Sequence, residues 1–225
     1  MKQRKLDLIR ERPTRGLIFT SDLIPGVMTG AVTVTSRAIK PQPPEWITAM
    51  GWTTFTPLGK VSGRGNYEDQ GPAEKFFRCP FRVGEIRYVK EAWARVPRTA
   101  YWHDQSIPHV ETGYEWIIYK PGWERSAGGI LWRSSMFMPR AHARTWIEIL
   151  SVRPARCQDI TRDEILASGI VMDPSGAWCQ GTGTKCYETP LDAYAALWDR
   201  LNRARGFPWS ANCWVWRCTF RTVTP

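Results

Sequence analysis

Proline and glycine recur along the whole chain, and their frequency limits how long any helix or strand can be. The 225 residues include 17 Pro and 18 Gly. Because proline lacks a backbone donor and glycine favours turns, such a chain is divided into short elements joined by many loops. The hydrophobic fraction of 43% and the charged fraction of 23% are those of an ordinary globular protein, which excludes global disorder.

The short elements can still be located from their periodicity. Residues 32–37 alternate with period two and predict a strand, and residues 214–220 predict another strand whose Trp and Phe side chains share one face. Thr161 and Glu164 have the spacing of a capping box that begins a helix, and Thr189 precedes the clearest helical stripe. The predicted fold class is therefore α+β, with mostly short antiparallel strands and two or three helices, which is compatible with a small barrel.

The length of the chain fits one domain with long insertions. Residues 1–15 carry six basic side chains against two acidic ones and are interpreted as a basic N-terminal arm. Residues 16–225 are interpreted as a single domain in which residues near 41–80, 97–130 and 171–188 form loop-rich insertions. Because no apolar run approaches the ~20 residues that a membrane span needs, and no apolar stretch follows the basic N-terminus, we expect a cytoplasmic protein without a membrane partner.

The six cysteines include no Cys-x-x-Cys pair, and the chain has only three histidines. Ligands for a zinc ion would have to come from distant segments, so the sequence predicts neither a metal site nor a cofactor. We expect the cysteines to be reduced, buried thiols. Cys179 and Cys186 flank a glycine-rich loop and are the pair whose proximity is most worth testing.

The charge and the aromatic content both suit a nucleic-acid partner. The 31 basic side chains against 21 acidic ones give a formal net charge of +10, and the chain contains 13 Trp. Basic groups meet phosphate and rings stack on bases, whereas a Trp-rich core in a basic protein is the alternative. We interpret Arg133, Arg140 and Arg144 as phosphate contacts, because arginine presents a planar donor fork. Lys90 and Glu91 face opposite ways on a strand, so one of them is expected in the interior, where it must be paired or functional.

Several stretches, taken together, resemble the ASCH-domain proteins of bacteriophages and prophages, which belong to the PUA-like superfamily. The stretches follow one another in a common order and cover roughly residues 16–222. They are GLIF at 16–19, GAVTVTSRAIKPQP at 30–43, VGEIRYVKEAWA at 83–94, WRSSMFMPR at 132–140, QDI at 158–160, ASGI at 167–170, LWD at 197–199 and NCWVW at 212–216.

The resemblance implies a compact β-barrel with helices packed at its ends, and a cleft beside the first helix that holds nucleic acid or a nucleobase-like ligand. The family signature is Gly-x-Lys-x-x-(Glu or Thr)-x-Arg, which Gly30, Thr35 and Arg37 match. Val32 stands at the lysine position. Ser168 stands where the amidohydrolase branch, which removes acyl groups from modified cytidine, has its downstream acid. Because valine is neither a base nor a hydrogen-bond donor, the resemblance favours binding over catalysis.

The leading hypothesis is a nucleic-acid-binding module of the phage or prophage type that recognises RNA, another single strand or a modified nucleobase. Its expected ligand-binding residues are Gly30, Thr33, Thr35, Arg37, Lys40, Lys90, Glu91, Arg133, Arg140 and Arg144. One loop tryptophan is expected to stack on a base, from the set Trp46, Trp52, Trp102, Trp123 and Trp178. One alternative is an amidohydrolase acting on N-acylated cytidine-type nucleosides, with Thr35, Lys90 and Glu91 as catalytic residues. The other is an interaction factor that binds a host or virion protein through the insertions.

Overall fold

Strands dominate the part of the chain that the computed structural model describes, which comprises residues 15–52, 60–66, 71–101, 103–104, 106–125, 128–180 and 185–223. The strands are β1 (Gly16–Ile18), β2 (Val34–Ala38), β3 (Ile47–Gly51), β4 (Lys60–Asn66), β5 (Pro72–Arg78), β6 (Ile86–Lys90), β7 (Trp93–Pro97), β8 (His109–Thr112), β9 (Glu115–Tyr119), β10 (Trp146–Arg156), β11 (Ile170–Met172), β12 (Trp178–Gln180), β13 (Cys186–Tyr187) and β14 (Trp214–Val223). The α-helices are α1 (Ile24–Thr29), α2 (Arg162–Leu166) and α3 (Pro190–Asn202). The prediction of an α+β chain with mostly strands is confirmed. The sheets that the described residues form are not closed into a barrel.

The described residues group into two compact units, each assembled from separate segments of the chain. The first unit lies within Met1–Ala31, Ile86–Glu148 and Arg221–Pro225, and the second lies within Val32–Glu85 and Ile149–Phe220. The basic arm expected over residues 1–15 falls, apart from Arg15, outside the described residues. Among the described helices, none is both long enough and apolar enough to pass through a membrane.

In the first unit, β6 pairs with strands on both sides. β1 runs parallel to β6 with Gly16 opposite Tyr88, and the first residues of β10 run antiparallel to it with Trp146 opposite Tyr88. A second, antiparallel sheet has the order β7-β9-β8. Its core consists of Ala94, Val96, Ile107, Trp116 and Ile118, packed against Tyr101, Trp123, Ile130 and Trp132.

In the second unit, β2 and β14 pair antiparallel, with Thr35 opposite Cys218 and Arg37 opposite Trp216. Helices α2 and α3 pack beside a small sheet of order β11-β12-β13. The buried residues of that part are Ile165, Ile170, Ala193, Tyr194 and Leu197. Trp214, Trp216, Cys218 and Phe220, predicted to share one face of β14, are all buried, and Val215 and Arg217 on the opposite face are buried as well.

Both predicted helix starts in the second unit are confirmed. Thr161 Oγ1 accepts a hydrogen bond from the Glu164 backbone N–H at 3.2 Å, and Glu164 Oε2 accepts one from the Thr161 N–H at 3.1 Å, which is a complete capping box. Thr189 caps α3 by accepting from the Asp192 N–H at 3.1 Å. Within the helical stripe predicted after Thr189, Leu191 is exposed, whereas Ala193 is buried.

Residues 41–80, interpreted as an extended loop or insertion, contain a three-stranded antiparallel sheet of order β3-β4-β5. Its glycines suggested loops, but two of them are needed inside β4. A Cβ on Gly63 would lie 2.7 Å from the Phe77 ring, and a Cβ on Gly65 would lie 1.6 Å from the Trp46 carbonyl oxygen. Glycine here permits a close approach of side chain and backbone within a strand, which composition alone does not distinguish from a turn.

Cys179 and Cys186 form a disulfide with their Cα atoms 4.4 Å apart. The expectation of reduced thiols is therefore wrong for this pair in the present structure, while their suggested proximity is confirmed. The physical reason is strand register, because the two residues stand directly opposite each other on β12 and β13. The other four cysteines, Cys79, Cys157, Cys213 and Cys218, are buried thiols, as expected.

Candidate nucleic-acid interface

Residues 131–144, called the basic segment below, are anchored to the rest of the first unit at several points. Trp93 and Arg133 exchange both backbone hydrogen bonds, at 3.2 and 2.7 Å. Lys90 Nζ donates to the Met136 carbonyl oxygen at 2.7 Å, and the Glu91 backbone N–H lies 3.0 Å from Met138 Sδ. Met138 is buried. Lys90 and Glu91 therefore both contact the basic segment, and Glu91 is the one of the two that lies in the interior.

Between these anchors the basic segment presents two large apolar side chains to solvent. Ser134 Oγ accepts from the Met136 N–H at 3.3 Å and caps a 3₁₀ turn, Ser135–Phe137. Met136 is 62% exposed and Phe137 is 73% exposed. An aromatic ring that is held on a capped turn and largely uncovered has one face available for stacking on a ligand.

Arg133 and Arg140 lie on either side of this turn in the sequence, and each guanidinium stands over a tryptophan ring. The Arg133 guanidinium carbon is 5.2 Å from the centroid of Trp93, and that of Arg140 is 5.4 Å from the centroid of Trp146. Both distances are in the range of cation–π contacts. Arg133 is exposed, and Arg140 is half-buried.

Glu91 and Arg144 form a buried ion pair that holds the C-terminal end of the basic segment. Arg144 Nη2 donates to Glu91 Oε2 at 2.7 Å, and Arg144 Nε donates to the same oxygen at 3.1 Å. The Arg144 guanidinium carbon also lies 4.0 Å from the centroid of the Tyr119 ring. These contacts occupy both charged groups, so they position the segment.

The Tyr119 hydroxyl extends the same buried network, and it keeps its proton at physiological pH. Its hydroxyl donates to the His142 carbonyl oxygen at 2.6 Å. Burial raises the pKa of Tyr119 well above its ordinary value, and the positive charge of Arg144 only partly opposes that effect. The phenol therefore acts as a fixed hydrogen-bond donor to the basic segment.

The remaining expected ligand residues divide between the two units. Gly30, in the first unit, ends α1 in the left-handed conformation with φ of 79°. Thr33, in the second unit, uses its backbone N–H to bond the Ala167 carbonyl oxygen at 2.8 Å. Thr35 and Arg37 are half-buried on β2, and Lys40 is exposed with its Nζ 5.1 Å from the Phe207 centroid. Within the second unit, strand geometry thus places Thr35 and Arg37 on the same side of β2.

Val32 and Ser168, the two positions that depart from the amidohydrolase pattern, are both buried in the second unit. Ser168 Oγ donates to the Glu164 carbonyl oxygen at 2.7 Å, which completes the end of α2. The carboxylate of Glu164 is bonded to Arg153 at 2.8 Å and lies 3.3 Å from Arg217. Ser168 and Glu164 are therefore both bonded to other groups of the second unit.

Arg217 is a residue whose burial the sequence did not predict. Its guanidinium donates to Ser36 Oγ at 3.3 Å, to the carbonyl oxygens of Arg156 and Cys157 at 3.2 and 3.1 Å, and to the carbonyl oxygen of Asp159. Tyr194 donates to the same Ser36 hydroxyl at 3.2 Å. An arginine with every nitrogen occupied ties β14 to the segments around it and stabilises the fold of the second unit.

The loop tryptophans proposed for stacking have various surroundings. Trp52 is exposed, although its Nε1 donates to the Val152 carbonyl oxygen at 3.3 Å. Trp46, Trp123 and Trp178 are half-buried, and Trp178 begins β12, so the expectation that it lies in a loop is wrong. Trp102 lies outside the described residues. Sequence reasoning considered only tryptophans and so missed Phe137, for which the available signal was an apolar triplet, Met-Phe-Met, between Ser-Ser and Pro-Arg.

Comparison with known proteins shows no relative: no family model, no curated protein and no solved structure matches this chain.

Proposed function

We propose that the protein is a nucleic-acid-binding module of the ASCH, PUA-like type and that it contacts RNA or another single strand through the basic segment. The observation that carries the proposal is the exposed ring of Phe137, held on a capped turn between Arg133 and Arg140. An aromatic platform for a base, with guanidinium groups nearby for phosphate, is the combination that single-strand binders use. The same proposal includes four further expectations from the sequence. They are a small barrel, a phage or prophage source, recognition of a modified base, and a cytoplasmic location.

The electrostatics of the chain support this choice of ligand. The formal net charge is +10, which favours association with a polyanion through release of its counterions. Arg133 and Arg140 each rest on a tryptophan face on either side of the exposed turn, whereas Arg144 is bonded to the buried Glu91 carboxylate. We therefore assign phosphate contact to Arg133 and Arg140, and positioning to Glu91 and Arg144.

Stacking on Phe137 requires a base that is not enclosed in a duplex. Bases in loops, bulges and single strands are exposed on their faces, whereas those of a duplex are covered by their neighbours. The proposal therefore specifies an unpaired base. Because stacking is tolerant of sequence, discrimination among bases by this ring is expected to be weak.

The test is a fluorescence-anisotropy titration of labelled single-stranded RNA, and of DNA of the same sequence, at about 50 and 200 mM salt. Loss of one base–aromatic stack costs about 1–3 kcal/mol, so Phe137→Ala is expected to weaken binding by roughly 5- to 150-fold. Tyr114→Ala is the matched control, since Tyr114 is a 94% exposed aromatic residue of the same unit.

Two results would contradict the proposal. One is the absence of binding to either strand at both salt concentrations. The other is binding that Phe137→Ala and Tyr114→Ala weaken equally, because the basic segment would then have no special part. Release of cytidine from an N-acylated nucleoside would instead favour the amidohydrolase alternative, which receives less support because Glu91 is bonded to Arg144 and Val32 is buried.

A further inference from the structure

Three side chains of types that ligate metals converge in the second unit. Asp173 follows β11, and Cys179 and Cys186 stand opposite each other on β12 and β13. The Asp173 carboxylate and the two sulfur atoms all lie within 4.8 Å of one another. Carboxylate and thiolate groups are both ligands of zinc.

The Asp173 carboxylate is oriented by the turn that it closes. Its Oδ1 accepts from the Ser175 N–H at 2.9 Å, from Ser175 Oγ at 2.7 Å and from the Ala177 N–H at 2.9 Å. Its Oδ2 lies on the other side, 3.8 Å from Cys179 Sγ. Hydrogen bonds that fix one oxygen and leave the other directed at a ligand are typical of the groups surrounding a metal site.

The separation of these atoms fits the size of a zinc ion. Zinc–sulfur bonds of about 2.3 Å and zinc–oxygen bonds of about 2.0–2.2 Å, in tetrahedral geometry, place neighbouring ligand atoms roughly 3.5–3.8 Å apart. The 3.8 Å between Asp173 Oδ2 and Cys179 Sγ already matches this spacing. The sulfur of Cys186 would take up the same spacing from the other two ligand atoms once its bond to Cys179 is broken.

An open pocket provides access from solvent. It has a volume of about 680 Å³, and its lining includes Cys186, Ser175, Glu188 and Asp192. Glu188 and Asp192 are exposed acidic residues, so their charge favours the approach of a cation. The pocket also leaves room for water at a fourth coordination position.

We propose that, after reduction of the disulfide, Asp173, Cys179 and Cys186 bind a thiophilic divalent cation such as Zn²⁺. Two molecules of a low-molecular-weight thiol supply the two electrons and two protons, giving two cysteine thiols and one small-molecule disulfide. The metal then displaces the two thiol protons to solvent, and the thiolates bind it beside the carboxylate. Because each sulfur is either bonded to the other or to the metal, the disulfide and the metal-bound state exclude each other.

The test uses the full chain reduced with a phosphine, freed of the reductant without air, and titrated with Co²⁺ as a spectroscopic probe. The reduced protein is expected to bind one Co²⁺ with a sulfur-to-cobalt absorption band, which Zn²⁺ then displaces, and the oxidised protein is expected to bind none at this site. Asp173→Asn keeps an oxygen acceptor for Ser175 and Ala177, and is expected to weaken binding by about tenfold or more. Asp163→Asn, an exposed residue of α2, is the matched control.

Cys186→Ser retains Cys179 and the four other buried thiols, and so reports any adventitious binding to them. The proposal is overturned if the reduced protein binds no Co²⁺, if the oxidised protein binds it equally, or if Cys186→Ser binds it as tightly as the unchanged chain. If Asp173→Asn and Asp163→Asn bind Co²⁺ with equal affinity, Asp173 is not a ligand of the metal.

Discussion

Glu91 and Arg144, separated by 53 positions in the sequence, form an ion pair whose carboxylate has no exposed surface. Arg144 Nη2 and Nε both donate to Glu91 Oε2, at 2.7 and 3.1 Å. Glu91 follows β6, and Arg144 ends the basic segment. The pair therefore joins the strand that carries Lys90 to the segment that carries Phe137, and it fixes where the exposed ring is presented.

Breaking this pair from one side should cost much more than breaking an exposed one. Arg144→Met leaves the Glu91 carboxylate buried without its partner, which typically costs about 3–5 kcal/mol. Arg95→Met is the control, since the Arg95–Glu115 pair is nearly half exposed on both sides and is expected to contribute about 0–1 kcal/mol. Urea unfolding measures both free energies. Equal effects of the two substitutions would show that Glu91 is solvated in solution.

His142 should make stability depend on pH below neutrality. Burial lowers the pKa of His142 from its ordinary value of 6.5, and the positive charges of Arg95 and Arg133 act in the same direction. The unfolded chain therefore binds a proton that the folded chain refuses, so the free energy of unfolding falls as the pH falls from about 6.5 towards the lower folded pKa.

His142→Phe keeps an aromatic ring against Trp93, whose centroid is 4.7 Å from that of His142, but removes the titration. We expect a smaller loss of stability between about pH 7.5 and 5.5 in this variant than in the unchanged chain. Urea unfolding at both pH values gives the difference. His103→Phe, at an exposed position, serves as the control, and an identical pH dependence in all three proteins would contradict the prediction.

Glu164 should make the stability of the protein depend on pH in a more acidic range than His142 does. Burial tends to raise its pKa, but hydrogen bonds from Arg153 and the Thr161 N–H, with the charge of Arg217, lower the pKa below the ordinary 4.5. Because the folded pKa is the lower one, the ionised group stabilises the fold above about 4.5, and that contribution is lost as the pH falls through the folded pKa. Glu164→Gln is thus expected to be less stable than the unchanged chain at neutral pH, with a difference that shrinks in acid. Thermal unfolding across this range measures it, and a constant difference would contradict the assignment.

Arg133 and Arg140 should determine part of the salt dependence of binding. Each single-strand phosphate that a protein neutralises contributes about 0.7 to the slope of log K against log salt. Arg133→Ala with Arg140→Ala is therefore expected to lower the slope by about 1.4. The matched control removes two exposed arginines elsewhere, Arg98 and Arg205, and should change the slope less. Equal changes in both double variants would indicate a diffuse basic surface.

The sequence predicted those features that depend on neighbours along the chain. The capping box of Thr161 and Glu164 involves a spacing of three residues, and the shared face of the β14 tryptophans follows from a period of two. Both signals are local, so a single chain displays them. The Met-Phe-Met triplet marks the turn at Phe137 as apolar but does not show that it is exposed, because its anchors, which include Lys90, lie far away in the sequence.

Features that depend on packing between distant segments were missed. Arg217 lies on the β14 face opposite the tryptophans, which sequence patterns associate with solvent, yet carbonyl oxygens and Ser36 surround it. The cluster of Asp173, Cys179 and Cys186 likewise depends on the register of β12 against β13. No spacing rule for metal sites includes it, which is why the sequence suggested no ligand set.

Gly65 offers a direct test of the difference between a loop glycine and a packed one. A Cβ at this position would lie 1.6 Å from the Trp46 carbonyl oxygen, so the β3–β4 pairing must open to admit it. Gly65→Ala is expected to destabilise the protein by about 1–3 kcal/mol, as overpacking does. Gly51→Ala is the matched control, because nothing lies within 4 Å of a Cβ at that end of β3 and the lower backbone entropy of alanine in the unfolded chain favours folding slightly. Urea unfolding compares the two, and equal stability would mean that residues 41–80 behave as a loop after all.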